Sequence, residues 1–339
     1  METHVSEISR RLVERGFEVK VLTTDPSGKL PRMEVADGVA VRRFRSWAPG
    51  DAYYFSSGLR NWLGANSGRY DIVHAHNYHA LPALYATRFK DGSKLVFTPH
   101  YHGAGHTYFR NLLHIPYRHI SRRIFERADL IICVSQHEEE LLMRNFTIER
   151  TKLRLIPNGV NLQEFAGTQK SGRKVVLCVG RLERYKGIDY LIEALPRLSD
   201  EVRLEIVGEG PHRNALMKLA RQVRAEGRVS FLGNLPRNEL VQKYREAGLF
   251  ALISRYEAYC ISVAEALAAK TPCIVAETSA LREWIDNRNC FGISYPINIQ
   301  QLALMIDSIM GRSIGPIRLP TWDETVEKLV LVYQDSMDA

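Results

Sequence analysis

The sequence predicts an α/β protein made of two doubly wound domains. Short β-branched runs alternate with longer segments of helical period along the chain, a pattern typical of parallel strands joined by crossover helices. The chain has 339 residues, more than one hydrophobic core usually serves, and a polar, glycine-bearing stretch at 160–174 interrupts the alternation. Two domains joined near this stretch are therefore expected.

The N-terminal domain is predicted to begin with a helix. Val5, Ile8 and Leu12 form an apolar stripe, and Gly16 follows as a C-cap. A doubly wound domain normally begins with a strand near the centre of its sheet, so we expect either a truncated chain or another segment in that position. Five strands are predicted after the helix, at 18–23, 70–76, 94–100, 129–135 and 153–159.

The domain boundary is predicted near Gly167, which gives domains at 1–166 and 167–320. Parallel strands end at one edge of their sheet, where such folds bind ligands, so two sheets that face each other would enclose a cleft. Function is expected in this cleft. The second domain is predicted to contain strands at 174–180, 203–208, 229–233, 249–254 and 272–277.

The composition excludes several classes of protein. Five cysteines without a Cys-x-x-Cys pair argue against a disulfide framework or a cysteine zinc site. No run of about 18 apolar residues is present, and the N-terminus lacks the apolar core of a signal peptide, so a cytoplasmic location is expected. The net charge of +8 favours anionic partners: nucleotide diphosphates, phospholipid surfaces or nucleic acid.

Basic residues are concentrated at 109–128, where arginines accompany apolar residues at roughly helical spacing. Two interpretations of this stretch remain open. It is either the solvated face of a helix or a contact with a membrane surface or an acidic acceptor.

Two glutamates mark the most informative segment of the second domain. Glu257 follows the strand at 249–254, and Glu265 lies in the strongly helical run 264–269. A strand, a loop and a helix N-terminus in this order present free amides to an anion such as a diphosphate. Carboxylates beside it would accept hydrogen bonds from sugar hydroxyls, although a loop glutamate and a solvated helix glutamate are the alternative.

Two cations follow the strand at 174–180. Arg181 and Lys186 would supply donors for two phosphates and for charge on a leaving nucleotide. The alternative is two ordinary surface cations. Glycine-rich turns follow the next two strands, with Gly208 in the first, and such turns taken alone are more often tight turns than ligand loops.

Histidines follow two consecutive strands of the first domain, which suggests a common cleft. His-x-His occurs twice and is compatible with a metal site, but such a site is disfavoured because no cysteine or suitably placed carboxylate completes it and no Asp-x-Asp motif is present. His74 is expected in the core. These histidines are His74, His76 and His79 after one strand and His100, His102 and His106 after the next.

The motifs together resemble the family 4 retaining glycosyltransferases of the GT-B fold, also called glycosyl transferases group 1. The resemblance covers nearly the whole chain and includes the family's Glu, seven residues, Glu pattern, VGRLERYKG at 179–187, Thr98-Pro99-His100 and a final helix headed by Trp322. Ala258 and Cys260 stand where the family commonly has glycine, and Tyr259 replaces phenylalanine. The residues that carry the main motif are Ser254, Glu257, Glu265, Ala266, Ala268 and Pro272.

The resemblance implies transfer of a sugar from a nucleoside diphosphate sugar to an acceptor hydroxyl, with retained configuration and without a metal or other cofactor. It implies a sugar or lipid-linked acceptor, no nucleic-acid partner, and a helix at 321–339 that completes the first domain. His100, Arg181, Lys186 and Glu257 would be catalytic, and His76, His102 and His106 would lie on the acceptor side. The donor would be held by Arg181, Lys186, Gly208, Asn234, Leu235, Glu257, Ala258, Tyr259, Cys260, Ile261, Ser262 and Glu265.

Two other functions remain open at this stage. A nucleotide-sugar epimerase shares the GT-B architecture but would turn over its donor without an acceptor. A catalytically impaired nucleotide-binding protein is the other alternative, because the family's first strand and the glycine pair after it are missing from this sequence. A Rossmann dehydrogenase is disfavoured, since no Gly-x-Gly-x-x-Gly motif follows a strand.

Overall fold

A computed structural model describes residues 2–49, 53–89, 92–103, 117, 120–167 and 173–338. The chain divides into two compact units. Unit 1 consists of Met1–Asn158 and Trp322–Ala339, and unit 2 consists of Gly159–Thr321. In the described part of the chain, no helix is both long and apolar enough to span a bilayer.

The strands of unit 1 form two separate sheets. The first has the order β1-β3-β2, in which β1 and β3 are parallel and β2 and β3 antiparallel. The second has the order β4-β5-β6-β7 and is parallel throughout. The strands are β1 (Lys20–Asp25), β2 (Met33–Ala36), β3 (Val39–Arg45), β4 (Ile72–His76), β5 (Lys94–Thr98), β6 (Leu130–Cys133) and β7 (Leu153–Leu155).

Helices pack beside these sheets around an aromatic-rich core. Tyr78, Phe97 and Phe125 are fully buried in it. Gly16 ends the first helix with a φ of +87°, a conformation that glycine adopts without steric cost. The helices along this part of the chain are α1 (Glu2–Glu14), α2 (Ser57–Asn66), α3 (Leu81–Arg88), α4 (residues 120–127) and α5 (Gln136–Asn145).

Unit 2 is one doubly wound parallel sheet of six strands with the order β10-β9-β8-β11-β12-β13. Its strands are β8 (Val175–Val179), β9 (Arg203–Val207), β10 (Val229–Gly233), β11 (Leu249–Leu252), β12 (Cys273–Ala276) and β13 (Cys290–Ile293). The helices are α6 (Ile188–Ala194), α7 (Arg213–Gln222), α8 (Arg237–Glu246), α9 (Ile261–Ala268) and α10 (Ile299–Ile309). The chain then returns to unit 1 as α11 (Trp322–Asp338).

The boundary between the units lies eight residues before the predicted position at Gly167. Residues 159–166 belong to unit 2 because Phe165 is buried in its core and the amide of Val160 donates to the carbonyl oxygen of Pro320 at 2.9 Å. The polar character of 160–174 indicated a linker, whereas a single aromatic side chain anchors its first half. Residues 168–172 lie outside the described residues.

The predicted strands are all present, and most end one or two residues earlier than expected. Three strands were not predicted: β2, β3 and β13. The described strands of unit 1 form two sheets, and the expectation of a truncated chain or a replacing segment at its start stays a prediction. Of the basic stretch at 109–128, only Tyr117 and residues 120–128 are among the described residues, so its two interpretations both remain open.

Candidate functional site

The loop after β11 is held in place by hydrogen bonds from two neighbouring residues. The hydroxyl of Thr278 donates to the carbonyl oxygen of Ser254 at 2.7 Å, and the amide of Glu257 donates to the hydroxyl of Ser279 at 2.9 Å. The hydroxyl of Ser254, which is fully buried, donates to the carbonyl oxygen of Tyr256 at 3.2 Å. The backbone at Glu257 is therefore fixed at the carboxyl end of the sheet.

Lys186 and Glu257 form an ion pair at this end of the sheet. The distance from Nζ of Lys186 to Oε1 of Glu257 is 2.6 Å, and each side chain is 13% exposed. Burial alone would lower the pKa of Lys186, but the charge of Glu257 outweighs it and raises that pKa above its usual value. The lysine is thus a permanent cation whose charge is balanced while no ligand is bound.

The turn that carries Lys186 fits closely against β11. Gly187 has a φ of +64°, and a Cβ at this position would lie 2.1 Å from the carbonyl oxygen of Ile253. The amide of Arg255 donates to the carbonyl oxygen of Tyr185 at 2.8 Å. Glycine is required here because the two loops that bring lysine and glutamate together touch through their backbones.

Arg181 leaves β8 five residues before Lys186 and is much more exposed. Its side chain is 49% exposed, and its Nε lies 3.2 Å from Oε1 of Glu183. An ion pair with this much solvent contact contributes little to stability and is easily exchanged. Arg181 can therefore reorient toward an anion, in contrast to the fixed Lys186.

The N-terminus of α9 lies directly after the Glu257 loop. The amides of Ile261 and Ser262, in the first turn, have no carbonyl partner within the helix. Cys260 precedes them with a φ of +81°, unusual for a residue with a side chain, and its Sγ lies 3.2 Å from the hydroxyl of Ser262. Burial raises the pKa of the Cys260 thiol to about 12, so this sulfur stays neutral.

Tyr259 contributes its backbone rather than its ring to this loop. Tyr259 is 8% exposed, and its ring lies edge-on against Trp284, with the centroids 5.3 Å apart. The indole nitrogen of Trp284 donates to the carbonyl oxygen of Tyr259 at 2.8 Å. Trp284 therefore supports the segment 258–260, although no sequence motif marks it.

Glu265 projects from α9 into a charged cluster. Its carboxylate accepts a hydrogen bond from Arg237 at 2.5 Å, and the same guanidinium donates to Glu164 through Nε at 2.9 Å. Burial raises the pKa of Glu265, and the charge of Arg237 acts against that rise. Arg237 and Glu164 were missed because neither belongs to a motif and Arg237 begins an ordinary polar helix.

The glycine-rich loop after β9 is explained by packing. Gly208 has a φ of +125°, and a Cβ there would lie 2.1 Å from the carbonyl oxygen of Gly180. Its amide donates to the carbonyl oxygen of Gly233 at 2.7 Å. Asn234, which is exposed, and Leu235, which is partly buried, follow β10 in the next loop. These three residues lie at one edge of the sheet.

Unit 1 has its own cluster of polar side chains, formed by His4, His76 and His100. The ring centroid of His4 lies 5.3 Å from that of His76 and 5.0 Å from that of His100. Burial lowers the pKa of all three imidazoles, that of His4 to about 4, so each is neutral at physiological pH. His4 belongs to α1 and was not among the predicted site residues.

The other histidines of unit 1 have different surroundings. His74 uses both ring nitrogens, one with the hydroxyl of Tyr333 and one with that of Thr98, each at 2.7 Å. His102 stacks on His79 with centroids 5.2 Å apart. His106 lies outside the described residues.

Two family models match the chain. "Glycosyltransferase Family 4" matches residues 1–164, and "Glycosyl transferases group 1" matches residues 161–314. The chain is 30% identical over 338 residues to a glycogen synthase of Mycobacterium tuberculosis, covering 91% of this chain and 81% of the relative.

Two solved structures show the same fold at low sequence identity. Sucrose-phosphate synthase from Thermosynechococcus elongatus superposes with a TM-score of 0.78 at 20% identity, covering 98% of this chain and 92% of the other. Anabaena HepE in complex with UDP and glucose superposes with a TM-score of 0.75 at 17% identity, covering 93% of this chain and 99% of the other. The fold is therefore GT-B.

Proposed function

Because the chain belongs to the glycosyl transferases group 1 family and is a glycosyltransferase, we propose that it takes a sugar from a nucleoside diphosphate donor and passes it to an acceptor hydroxyl. We include in this proposal that the anomeric configuration is retained and that no metal ion is needed at the diphosphate. The observation that carries it is the ion pair of Lys186 and Glu257 beside the N-terminus of α9.

The diphosphate part of the proposal rests on charge. Lys186, the exposed guanidinium of Arg181 and the first amides of α9 are three donor groups on neighbouring loops of one sheet edge. Hydrogen bonds between cations and phosphate oxygens are short and strong, and a helix N-terminus adds favourable dipole energy. These donors would neutralise the charge that develops on the departing diphosphate, which is the role that a metal ion has in other transferases.

The two glutamates fit hydroxyl groups on either side of the diphosphate. Glu265 is held by Arg237, and its carboxylate can accept hydrogen bonds from the hydroxyls of a ribose. Glu257 can do the same for the sugar while it keeps Lys186 in place. HepE, whose complexes contain UDP and glucose or UDP-glucose, supports a donor of this class for the present chain. The retained configuration is proposed from the family alone.

The proposal is tested first by calorimetry with UDP, GDP and ADP on the full chain. One diphosphate should bind, and Lys186→Met should weaken its binding by about tenfold to hundredfold, the loss of a charged hydrogen bond. Lys174→Met is the matched control, because Lys174 forms an equally short but exposed ion pair with Glu201, 2.6 Å long, in the same unit. Binding of none of the three nucleotides would disprove the donor assignment.

Turnover is tested with labelled donors and a panel of sugar and lipid-linked acceptors. The proton NMR spectrum of the product should show the anomeric configuration of the donor, and a chelator should not lower the rate. Glu257→Gln should reduce turnover, since this carboxylate is assigned to the sugar. An inverted product would contradict the stereochemical part, and donor epimerisation without an acceptor would contradict transfer.

A further inference from the structure

The backbone of unit 1 bends sharply at His100, two residues after β5 ends. His100 has a φ of +50°, a left-handed conformation that residues with a side chain seldom adopt. Such a conformation is strained and persists only where the surrounding structure holds it. Nε2 of the ring is shielded from solvent and has no hydrogen-bond partner, whereas buried polar atoms are almost always bonded. The bend therefore carries a polar atom that can bond to a ligand.

The residues before His100 are anchored to the loop that follows β4. The amide of Asn77 donates to the carbonyl oxygen of Thr98 at 3.1 Å, and the amide of Tyr78 donates to that of Pro99 at 2.7 Å. Tyr78 is completely buried, so this loop is itself part of the core. The chain thus enters the bend at a fixed position.

The residue after His100 is anchored by a carboxylate. The amide of Tyr101 donates to Oε1 of Glu138, and the amide of Val134 donates to Oε2 of the same side chain at 2.8 Å. Val134 directly follows β6, which is the neighbour of β5 in the sheet. One side chain therefore joins the ends of two strands and fixes the chain where it leaves the bend.

The surroundings of Glu138 differ from those of an ordinary helix cap. Glu138 is the third residue of α5, whose cap is Ser135, and the amide of Glu138 donates to the Ser135 hydroxyl at 3.0 Å. In a capping box the glutamate would reach back to the amide of Ser135 itself. Here it bonds instead to two amides outside the helix, and it is completely buried. A buried carboxylate is costly unless it is fully bonded, so these contacts serve more than the cap.

We propose that Glu138 is a positioning residue for sugar transfer and that it acts through His100. By holding the amide of Tyr101, it keeps the imidazole of His100 where the transferring sugar is bound. The inference rests on the proposed function, since the resemblance to the family gives His100 a catalytic role in that transfer. Displacing a reacting or contacting group by about 1 Å can slow a reaction by about a hundredfold, so the backbone beside His100 controls the rate.

The first test replaces the carboxylate by an amide of the same shape. In Glu138→Gln one oxygen becomes an NH₂ group, which cannot accept, so one of the two backbone amides loses its bond. The kcat for transfer should fall by about tenfold to hundredfold. The Kd for the nucleoside diphosphate should stay unchanged, because the residues assigned to it belong to unit 2.

Glu140→Gln is the matched control, because Glu140 lies in the same helix, is exposed and undergoes the same change of charge. This variant should keep both the kcat and the Kd of the unmodified chain. Circular dichroism verifies that each variant is folded. If Glu138→Gln does not fold, Glu138→Asp replaces it, since aspartate retains both acceptor oxygens on a shorter side chain and should show a smaller loss of kcat.

The second test distinguishes positioning from a purely structural role. His100→Ala removes the imidazole, and Glu138→Gln is then added to it. A residue that acts through His100 has nothing further to remove, so the double variant should have the same kcat as His100→Ala alone. If Glu138 served only the stability of unit 1, the two losses would multiply, and that result would overturn the inference.

The third test does not need turnover. In NMR spectra of the chain with labelled histidine, the ring signal that disappears in His100→Ala belongs to His100. This signal should shift in Glu138→Gln and stay in place in Glu140→Gln. The inference is overturned by an unshifted signal, by an unchanged kcat in folded Glu138→Gln, or by an equal loss of kcat in Glu140→Gln. An unmodified chain that transfers no sugar contradicts the proposed function instead, while the ring signal still tests the contact of Glu138 with the bend.

Discussion

Lys186 and Glu257 lie 71 residues apart in the sequence, and their charged atoms are 2.6 Å apart. The lysine follows β8 and the glutamate follows β11, two strands that are hydrogen-bonded neighbours in the sheet of unit 2. Because both side chains are 13% exposed, neither charge is well hydrated, and each depends on the other.

Removing one partner of this pair should destabilise unit 2. We expect Lys186→Met to lower the free energy of unfolding by about 2 kcal/mol, since the carboxylate of Glu257 would be left partly buried and unpaired. Urea denaturation measures the change. Lys174→Met, in the exposed pair with Glu201, should stay within about 0.5 kcal/mol of the unmodified chain. Equal losses of unfolding free energy in the two variants would show that the burial of the Lys186 pair makes no difference to its contribution.

The affinity for nucleotide should become pH-dependent when Arg237 is replaced. Burial raises the pKa of Glu265 and Arg237 opposes the rise, so Arg237→Met should raise this pKa further. As pH falls, a larger fraction of this glutamate is then protonated, and the Kd of Arg237→Met for nucleotide should increase. The Kd of the unmodified chain should change less.

Calorimetry at three pH values measures this effect. Lys243→Met is the control, because Lys243 lies in the same helix and pairs at 3.0 Å with Glu205 rather than Glu265. The free energy of unfolding of Arg237→Met should decrease as pH rises, whereas its affinity for nucleotide should increase. A carboxyl whose folded pKa lies above its ordinary value of about 4.3 stabilises the fold below that pH and loses this contribution as pH rises through the folded pKa. A pH-independent Kd in Arg237→Met would refute the assignment of Glu265 to the nucleotide.

A methyl group at Gly187 should disrupt the donor half of the protein. In Gly187→Ala the new carbon would lie 2.1 Å from the carbonyl oxygen of Ile253, at a φ of +64°, so the loops must separate. We expect a loss of at least about 3 kcal/mol in unfolding free energy, from overlap together with backbone strain. Gly227→Ala has nothing within 4 Å and should cost almost nothing. Thermal unfolding of both variants distinguishes a steric requirement from a general intolerance of change.

The Cys260 thiol should react slowly despite its partial exposure. It is the only one of the five cysteines that is not buried, and its pKa is raised to about 12. At pH 8 very little thiolate is present, so iodoacetamide should label Cys260 at least about a hundredfold more slowly than the unfolded chain. Peptide mass spectrometry follows the reaction, and Cys260→Ser identifies the site. Rapid labelling of the folded chain would show that the sulfur is less desolvated than the structure indicates.

Most of the fold could be predicted from the sequence because buried parallel strands are continuous apolar runs. The strand β3 was missed because the three arginines in Val39–Arg45 interrupt the apolar run that would predict a strand. The strand β13 was missed because its four residues, with a glycine among them, are too short and irregular for a periodic signal. The position of the unit boundary was missed because Phe165 is a single apolar residue in a polar stretch.

The candidate site was predictable where a motif carries it and not elsewhere. Glu257, Glu265, Arg181 and Lys186 follow from one family pattern. Arg237 and Trp284 act through contacts made only after folding, at 28 residues from Glu265 and 25 from Tyr259. The meeting of His4 with His76 and His100 depends in the same way on where α1 packs, which no local pattern specifies.

A β-bridge between Val160 and Thr321 joins the two ends of unit 2, which is one continuous segment of residues 159–321. The chain enters and leaves unit 2 at one point, so this segment can be cut out or exchanged with only two closely spaced junctions. The residues assigned to the nucleotide all lie inside it, whereas the three histidines lie outside. A chimaera in which residues 159–321 are replaced by the corresponding segment of another family member should therefore have that member's nucleotide preference.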